Sequence, residues 1–337
     1  MGQSLLAQQF SEKALAAKHI IIVAHQNPDG DAMGASLGLY NVLQTLHKQV
    51  TVIMPNESPS FLAWMPGADQ VINYQSKTEI ATQIFNTADM LVMVDFNCSP
   101  RVKGMEPLLN AFKGTRVMID HHPYPDTNIA NILISNTEVS SSCELMYQIM
   151  ADAGWAAAIN QQAASCLYTG IMTDTGGLNH NSSRPETYHV VANLLEKGIN
   201  KDEIHKLVFH SNSINRMRLL GYCLSQKLVL VPEHQAAYIT LTAKELTDFN
   251  HQPGDSEGFV NYPLGIEGIN VSALFIERDK QIKVSLRSRG DIAVNKMSEK
   301  YFNGGGHNNA AGGEWSVIDM EGIVQTYQTA LKEFCKI

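Results

Sequence analysis

The stretch His19-Ile-Ile-Ile-Val-Ala24, followed at once by His25-Gln-Asn-Pro-Asp-Gly-Asp31, decides the fold. The apolar run is too short and too β-branched for a helix and reads as a buried strand. The next segment carries Met33, Leu37, Tyr40, Leu43 and Leu46 on one face at helical spacing, which completes a strand–loop–helix unit. An amphipathic stretch at residues 5–17 precedes it. Residues 50–54, 71–74, 90–94 and 115–119 repeat the pattern of short apolar strands separated by helical or loop segments. That alternation predicts an α/β domain with a mostly parallel sheet covered on both faces.

At about 150 residues per domain, 337 residues predict two domains. Residues 141–197 read as predominantly helical. Ser141-Ser-Cys-Glu144 has the spacing of a capping box, and Pro185 suits the first turn of another helix. Helical patterning continues through residues 202–226. Strands at 238–241, 269–276 and 281–286, a helix at 294–301, a glycine-rich turn and a final helix from 320 then describe a smaller α/β domain. The expected division is 1–190, a helical connector at 191–225, and 226–337.

Composition narrows the class. With 44% hydrophobic and 17% charged residues there is ample core material. The apolar runs are far shorter than the ~20 residues that cross a bilayer, and the N-terminal residues lack the pattern of a secretory signal. Five scattered cysteines with no C-x-x-C pair argue against a disulfide framework and fit a reducing cytoplasm. A formal net charge of -8 argues against tracking along nucleic acid, which needs a broad basic surface. Small anionic ligands remain, provided positive charge or metal is concentrated locally.

The acidic and imidazole residues fall where such a sheet would use them. His25, Asp95 and Asp120-His121-His122 each follow a predicted strand, so in a parallel sheet they meet at one edge, outside the carboxyl ends of the strands. Asp29 and Asp31 add two carboxylates from the first loop, and Gly30 between them is expected to supply the backbone freedom to aim both inward. Asp174, in Thr173-Asp-Thr-Gly-Gly177, ends a helical stretch. An EF-hand reading of residues 27–38 fails, because Ala32 replaces the required glycine and Gly38 the terminal glutamate. Cys98, Cys143 and Cys166 read as core thiols. In the C-terminal part the amides of Gly304-Gly-Gly-His307 can form an anion-binding concavity, and Arg287 with His307 supplies local positive charge.

Taken in order, these segments resemble the DHH phosphoesterase superfamily. His25-x-x-Pro-Asp-Gly-Asp-Ala32 looks like its first motif, Asp95 with Arg101 its second, Asp120-His121-His122 its third and Thr173-Asp174-Thr-Gly its fourth. Val284-Ser-Leu-Arg-Ser288 and Gly304-Gly-Gly-His-Asn-Asn-Ala-Ala-Gly312 are similar to the DHH-associated nucleotide-binding domain of the RecJ and oligoribonuclease branch. The resemblance implies His25, Asp29 and Asp95 as ligands of one divalent metal, and Asp31, Asp95, His121 and Asp174 as ligands of a second, with Asp95 bridging. An oxygen-rich set with some imidazole suits Mn²⁺ best, with Mg²⁺ or Co²⁺ as substitutes. His122 is expected to contact the scissile phosphate or help protonate the leaving oxygen, or else to act through hydrogen bonds behind the ligands. Arg287, Ser288, Gly304, Gly305, Gly306 and His307 are expected to bind the substrate's end, across a cleft between the domains.

The resemblance implies a nanoRNase-type hydrolase of short oligoribonucleotides, with 3′-phosphoadenosine 5′-phosphate (pAp) as a second substrate and a metal-activated water as nucleophile. A phosphodiesterase of cyclic di-AMP or its linear product is the alternative within enzymes. A non-catalytic nucleotide- or RNA-binding module is the alternative outside them, and loss of metal ligands would be its mark. No basic arm or membrane segment speaks for long DNA or a membrane-bound enzyme, and the oligomeric state is open.

Overall fold

The computed structural model describes residues 2–210, 212–278 and 280–335, and the chain divides into two compact units, Met1–Ser211 and Asn212–Ile337. The first unit runs α1 (Gln3–Ala16), β1 (His19–Val23), α2 (Gly30–Thr45), β2 (Gln49–Met54), β3 (Ile72–Asn73), α3 (Thr78–Thr87), β4 (Met90–Val94), α4 (Glu106–Ala111), β5 (Thr115–Asp120), β6 (Ile132–Ser135), α5 (Ser142–Asp152), α6 (Gln161–Asp174), α7 (Pro185–Leu195) and α8 (Lys201–Phe209). Its six strands lie in the order β3-β2-β1-β4-β5-β6, and every pairing is parallel.

All five residues of β1 and all five of β4 are buried, because both faces of the sheet are covered. The pleat sorts them. Ile20, Ile22, Val92, Val94, Val117 and Ile119 join the core built on α1, α2, α5 and α6. Ile21, Val23, Leu91, Met93 and Met118 join the opposite core under α3 and α4. The continuous apolar strands of the sequence are thus the direct consequence of burial on two sides.

One close approach sets the position of everything at the carboxyl edge. Gly30, Gly34 and Gly38 form a stripe along α2 that faces α6. A Cβ at Gly34 would stand 2.6 Å from the Cys166 carbonyl oxygen and 2.7 Å from Cys143 Sγ, and one at Gly30 would overlap the Thr173 side chain. Gly170 on α6 is equally closed, by Cys143 Sγ. Gly30 therefore does not work as expected: its φ is not positive, and what demands glycine there is the contact with Thr173 rather than backbone freedom.

The second unit runs α9 (Ile214–Tyr222), a single π-helical turn (Cys223–Lys227), β7 (Leu228–Val231), β8 (Ala236–Leu241), α10 (Ala243–Asp248), β9 (Val271–Arg278), β10 (Gln281–Ser288), α11 (Val294–Tyr301), β11 (Gly305–His307), β12 (Ala310–Trp315) and α12 (Met320–Phe334). Its sheet is ordered β11-β12-β10-β9-β8-β7 and is antiparallel except for the β8–β9 pair. Ile282, Val284 and Leu286 of β10 turn to the core shared with α11 and α12. The stretch read as a connector holds α8 in the first unit and α9 in the second. The glycine-rich segment read as a turn is an edge strand: Gly305, Gly306 and His307 pair with Gly312, Ala311 and Ala310. No helix among the described residues is long and apolar enough to cross a membrane.

The glycine stripe yields a graded expectation. Gly34→Ala should destabilise the first unit by about 1–3 kcal/mol, because backbone must move. Gly38→Ala, whose Cβ meets only the flexible end of Leu167, should cost less. Thermal unfolding that ranks the two equally would contradict the close-packing account.

Candidate metal centre

Three neighbouring strands end at one place. His25 lies two residues past β1, Asp95 one residue past β4, and Asp120 is the last residue of β5, with His121 and His122 next. Asp29 caps α2, its Oδ1 accepting the amides of Asp31 and Ala32 at 3.0 Å each. Asp31 sits in the first turn of the same helix and Asp174 is the final residue of α6. The α2–α6 contact through Gly30 and Gly34 is what brings these two helix ends together.

Asp95 is the shared member of the cluster. Its φ is +60°, a left-handed conformation that a short polar side chain tolerates, and its amide donates to the Ile119 carbonyl at 3.1 Å. In this pose Oδ2 lies 3.4 Å from His25 Nε2 while Oδ1 lies 3.5 Å from His121 Nε2. His25 Nε2 is also 3.8 Å from Asp29, and His121 Nε2 is 3.7 Å from Asp31 and 3.6 Å from Asp174. The structure thus gathers all six expected ligands into two groups that meet at Asp95. Such separations are long for hydrogen bonds and short enough for one cation to touch both partners. Four carboxylates and two imidazoles match the donor preference of hard to borderline divalent cations.

The electrostatics point the same way. Burial raises Asp31 well above the usual carboxylate range, and the charges of Asp95, Asp174 and Asp29 push it further, against a hydrogen bond from Cys143. Burial also raises Asp95, with Asp29 and Asp120 adding and His25 opposing. For His25 burial disfavours protonation, but the Asp95 carboxylate facing Nε2 and the charge of Asp29 outweigh that and the nearby Arg101 charge, so its pKa rises. A set of buried groups that holds protons against its own repulsion is a set that cations would relieve.

Hydrogen bonds behind the cluster aim the rings. His25 Nδ1 lies 2.8 Å from the Gln26 carbonyl; a carbonyl only accepts, so Nδ1 carries the proton and Nε2 faces Asp29 and Asp95. His122 Nδ1 sits 2.8 Å from Asp120 Oδ1, and the His122 amide donates to Asp120 Oδ2 at 3.1 Å. Asp120 is fully buried. It is the orienting carboxylate of His122, a role the sequence does not disclose. Asp29 and Asp174 are the more open members, with side chains 42% and 30% exposed. They are the members of the cluster that solvent reaches.

The start of α5 closes the cluster from behind, and sequence reading gives it no part. The amide of Ser142 donates to Asp31 Oδ2 at 2.6 Å and that of Cys143 to Asp31 Oδ1 at 2.9 Å. The Ser142 hydroxyl donates to Asp95 Oδ1 at 2.9 Å. The expected capping box is half present. Ser141 accepts the Glu144 amide at 3.0 Å, but the buried Glu144 carboxylate takes the amide and hydroxyl of Ser140 and the Thr187 hydroxyl. It braces the residues entering α5 against α7 instead of returning to the cap. Cys143 and Cys166 are buried core thiols as expected, whereas Cys98 is only half-buried.

In the second unit, Arg287 on β10 and His307 on β11 are both in register with Ala310 on β12, so they flank one small residue on one face of the sheet. Gly312 and Gly305 are the next pair in register on that face; Gly305 has open space in front of it, and a Cβ at Gly312 would meet the Val284 carbonyl oxygen at 3.7 Å, an ordinary contact. Ser288 turns the other way: it is buried, its hydroxyl donating to the Ile292 carbonyl at 2.6 Å and accepting from Asn309 at 2.9 Å. That hydroxyl shapes the loop after β10. Gly304 donates its amide to Ser298, and Gly304 and Gly306 are closed in by β12, so the concavity expected of a turn is replaced by a strand.

The chain belongs to the DHH family of phosphoesterases: residues 19–171 match the DHH family, N-terminal domain, and residues 235–333 match the DHHA1 domain. It is similar to the crystal structure of an exopolyphosphatase-related protein from Bacteroides fragilis, with 41% identity and a TM-score of 0.92 over 98% of this chain and 96% of that one. It is 29% identical to the bifunctional oligoribonuclease and PAP phosphatase NrnA of Thermus thermophilus, covering 93% of this chain and 89% of that protein. The Bacillus subtilis protein of the same name is 26% identical over 93% of this chain and 95% of its own length.

The raised pKa values give a signed expectation. Without metal, Asp31, Asp95 and His25 favour the folded state most below their unfolded pKa values, and that benefit is lost as pH rises through the higher folded ones. A divalent cation binds the deprotonated forms, so its stabilisation grows over the same window. The gain in Tm on adding Mn²⁺ over EDTA should be larger at about pH 8 than at about pH 5.5. A gain independent of pH would contradict the account.

Proposed function

We propose that this protein is a two-metal phosphoesterase that hydrolyses short oligoribonucleotides to mononucleotides and removes the 3′-phosphate of pAp. The observation that carries the reading is Asp95, whose two oxygens face two different histidines within a cluster of buried carboxylates. The likeness to relatives named for both activities over most of the chain supports the substrate class.

In this reading His25, Asp29 and Asp95 hold one divalent cation and Asp31, Asp95, His121 and Asp174 a second, with manganese the metal that best suits the donors. Such a pair supplies an acidified water and a positive field for the attacking and leaving oxygens of an in-line displacement. The chain's own residues do the rest. Asp95 keeps the two halves of the centre at a fixed spacing. Asp120 holds the His122 ring by Nδ1, so that His122 contacts the phosphate or passes a proton to the leaving oxygen. Arg287 and His307 bring positive charge to the second unit, where the open face over Ala310, Gly312 and Gly305 admits a phosphate and a flat base close to the backbone. The five cysteines, all free thiols, fit a cytoplasmic protein.

The test is a time course with Mn²⁺ on 5′-phosphorylated RNA di- to pentanucleotides, pAp, linear and cyclic di-AMP, and pyrophosphate. Mononucleotide release should be fastest from the shortest RNAs, with phosphate release from pAp. A preference for di-AMP would move the reading to second-messenger turnover, and binding without turnover would leave a nucleotide-binding module. Asp95→Asn should lower kcat at least about a hundredfold, whereas Arg287→Ala should mainly raise KM. Near-normal turnover of Asp95→Asn at saturating metal would contradict the assignment.

A further inference from the structure

We infer that Ser142 is a positioning residue of the metal centre, setting the rotation of the bridging carboxylate of Asp95 while its backbone amide sets that of Asp31. The inference rests on the two-metal reading above and concerns how that centre is preorganised.

Two carboxylates of the cluster, Asp95 and Asp31, come from different elements, the turn after β4 and the first turn of α2. Ser142 touches both. Its amide and that of Cys143 are first-turn donors of an α-helix, groups with no intrahelical partner, and here both are spent on Asp31. The helix dipole adds positive charge at the same point, opposite a carboxylate that burial and its neighbours otherwise push toward protonation. The hydroxyl is the separable part of the contact. A carboxylate with a neutral or cationic neighbour on each side can rotate about χ2, whose profile is broad. The Ser142 hydroxyl, donating to Oδ1 with its oxygen 2.9 Å away, fixes that rotation, leaving Oδ1 toward His121 and Oδ2 toward His25. Ser142 is fully buried, so solvent does not compete for this bond. Glu144 and Ser141 hold the entry to α5 rigid from the other side.

The position also explains why α5 is packed where it is. Cys143, the next residue, occupies the space left by Gly34 and Gly170, which locks the start of α5 against α2 and α6. Ser142 is thereby held relative to the helix that carries Asp31 and the helix that ends in Asp174.

Ser142→Ala keeps the amide bond to Asp31 and deletes only the hydroxyl. Mn²⁺ binding is followed by the electron paramagnetic resonance signal of the free ion, on wild type, Ser142→Ala and Ser142→Thr. Loss of a residue that orients a ligand should weaken binding by about 10–100-fold in Ser142→Ala, with Thr, which keeps the hydroxyl, restoring it toward wild type. The thermal midpoint of the metal-free protein should change little, and KM at saturating Mn²⁺ should be unchanged, since neither depends on the rotation of Asp95. Should the alanine variant not fold, Ser142→Cys, close in shape but a weak donor, reports the same loss. Binding within twofold of wild type in the folded variant overturns the inference. Absence of Mn²⁺ binding to the wild type would instead overturn the two-metal reading itself.

Discussion

Repulsion among buried carboxylates is the constraint on which this structure depends. Asp31 and Asp95 are buried beside Asp29 and Asp174; burial and the charges of Asp95, Asp174 and Asp29 raise the proton affinity of Asp31, and burial with the charges of Asp29 and Asp120 raises that of Asp95. Uncompensated, such a group of charges would expand the carboxyl edge of the sheet or remain protonated. The fold opposes this with elements that cannot easily separate: α2 and α6 meet through glycine, and α5 wedges Cys143 into the same junction. The compensation is partial, from helix amides and from histidines, and leaves a site whose unmet demand is for cations. Stability is thereby held in a form that ligand binding can release.

The same constraint separates the two kinds of residue in the cluster. His25 and His121 reach inward by Nε2, and Asp95 stands between them in a backbone conformation that few non-glycine residues adopt. Gln26, Ser142, Asp120 and Cys143 contribute hydrogen bonds that decide which atom His25, Asp95, His122 and Asp31, in that order, present. A chemistry that requires two charges at a defined spacing places its demands on this outer set as much as on the ligands.

Much of the first unit was legible in the sequence because burial on both faces leaves unbroken apolar runs, and because the residues after those runs are polar and acidic. His25, Asp95 and Asp120-His121-His122 could be placed at one edge from that alone. The rest depends on contacts across the chain. Ser142 approaches Asp31 across 111 residues and Asp95 across 47, and nothing local marks it beyond a helix-start signature. Gly30 was legible as necessary but for the wrong reason, since a close helix contact leaves no trace in local conformation. The strands β6 and β11 are short, and β11 and β12 are rich in glycine and alanine, which resist the strand reading until neighbours pair with them. Ser288 is grouped with Arg287 by its place in the motif, whereas strand alternation turns the residue next to Arg287 to the opposite face.

The central claim is that Asp95 joins two cation sites. Anomalous diffraction from crystals grown in Mn²⁺ tests it most directly. The account predicts two peaks about 3.5–4 Å apart, one on the His25 side of Asp95 and one on the His121 side, each contacted by a different oxygen of that carboxylate. A single peak, or a pair that Asp95 does not bridge, would contradict it.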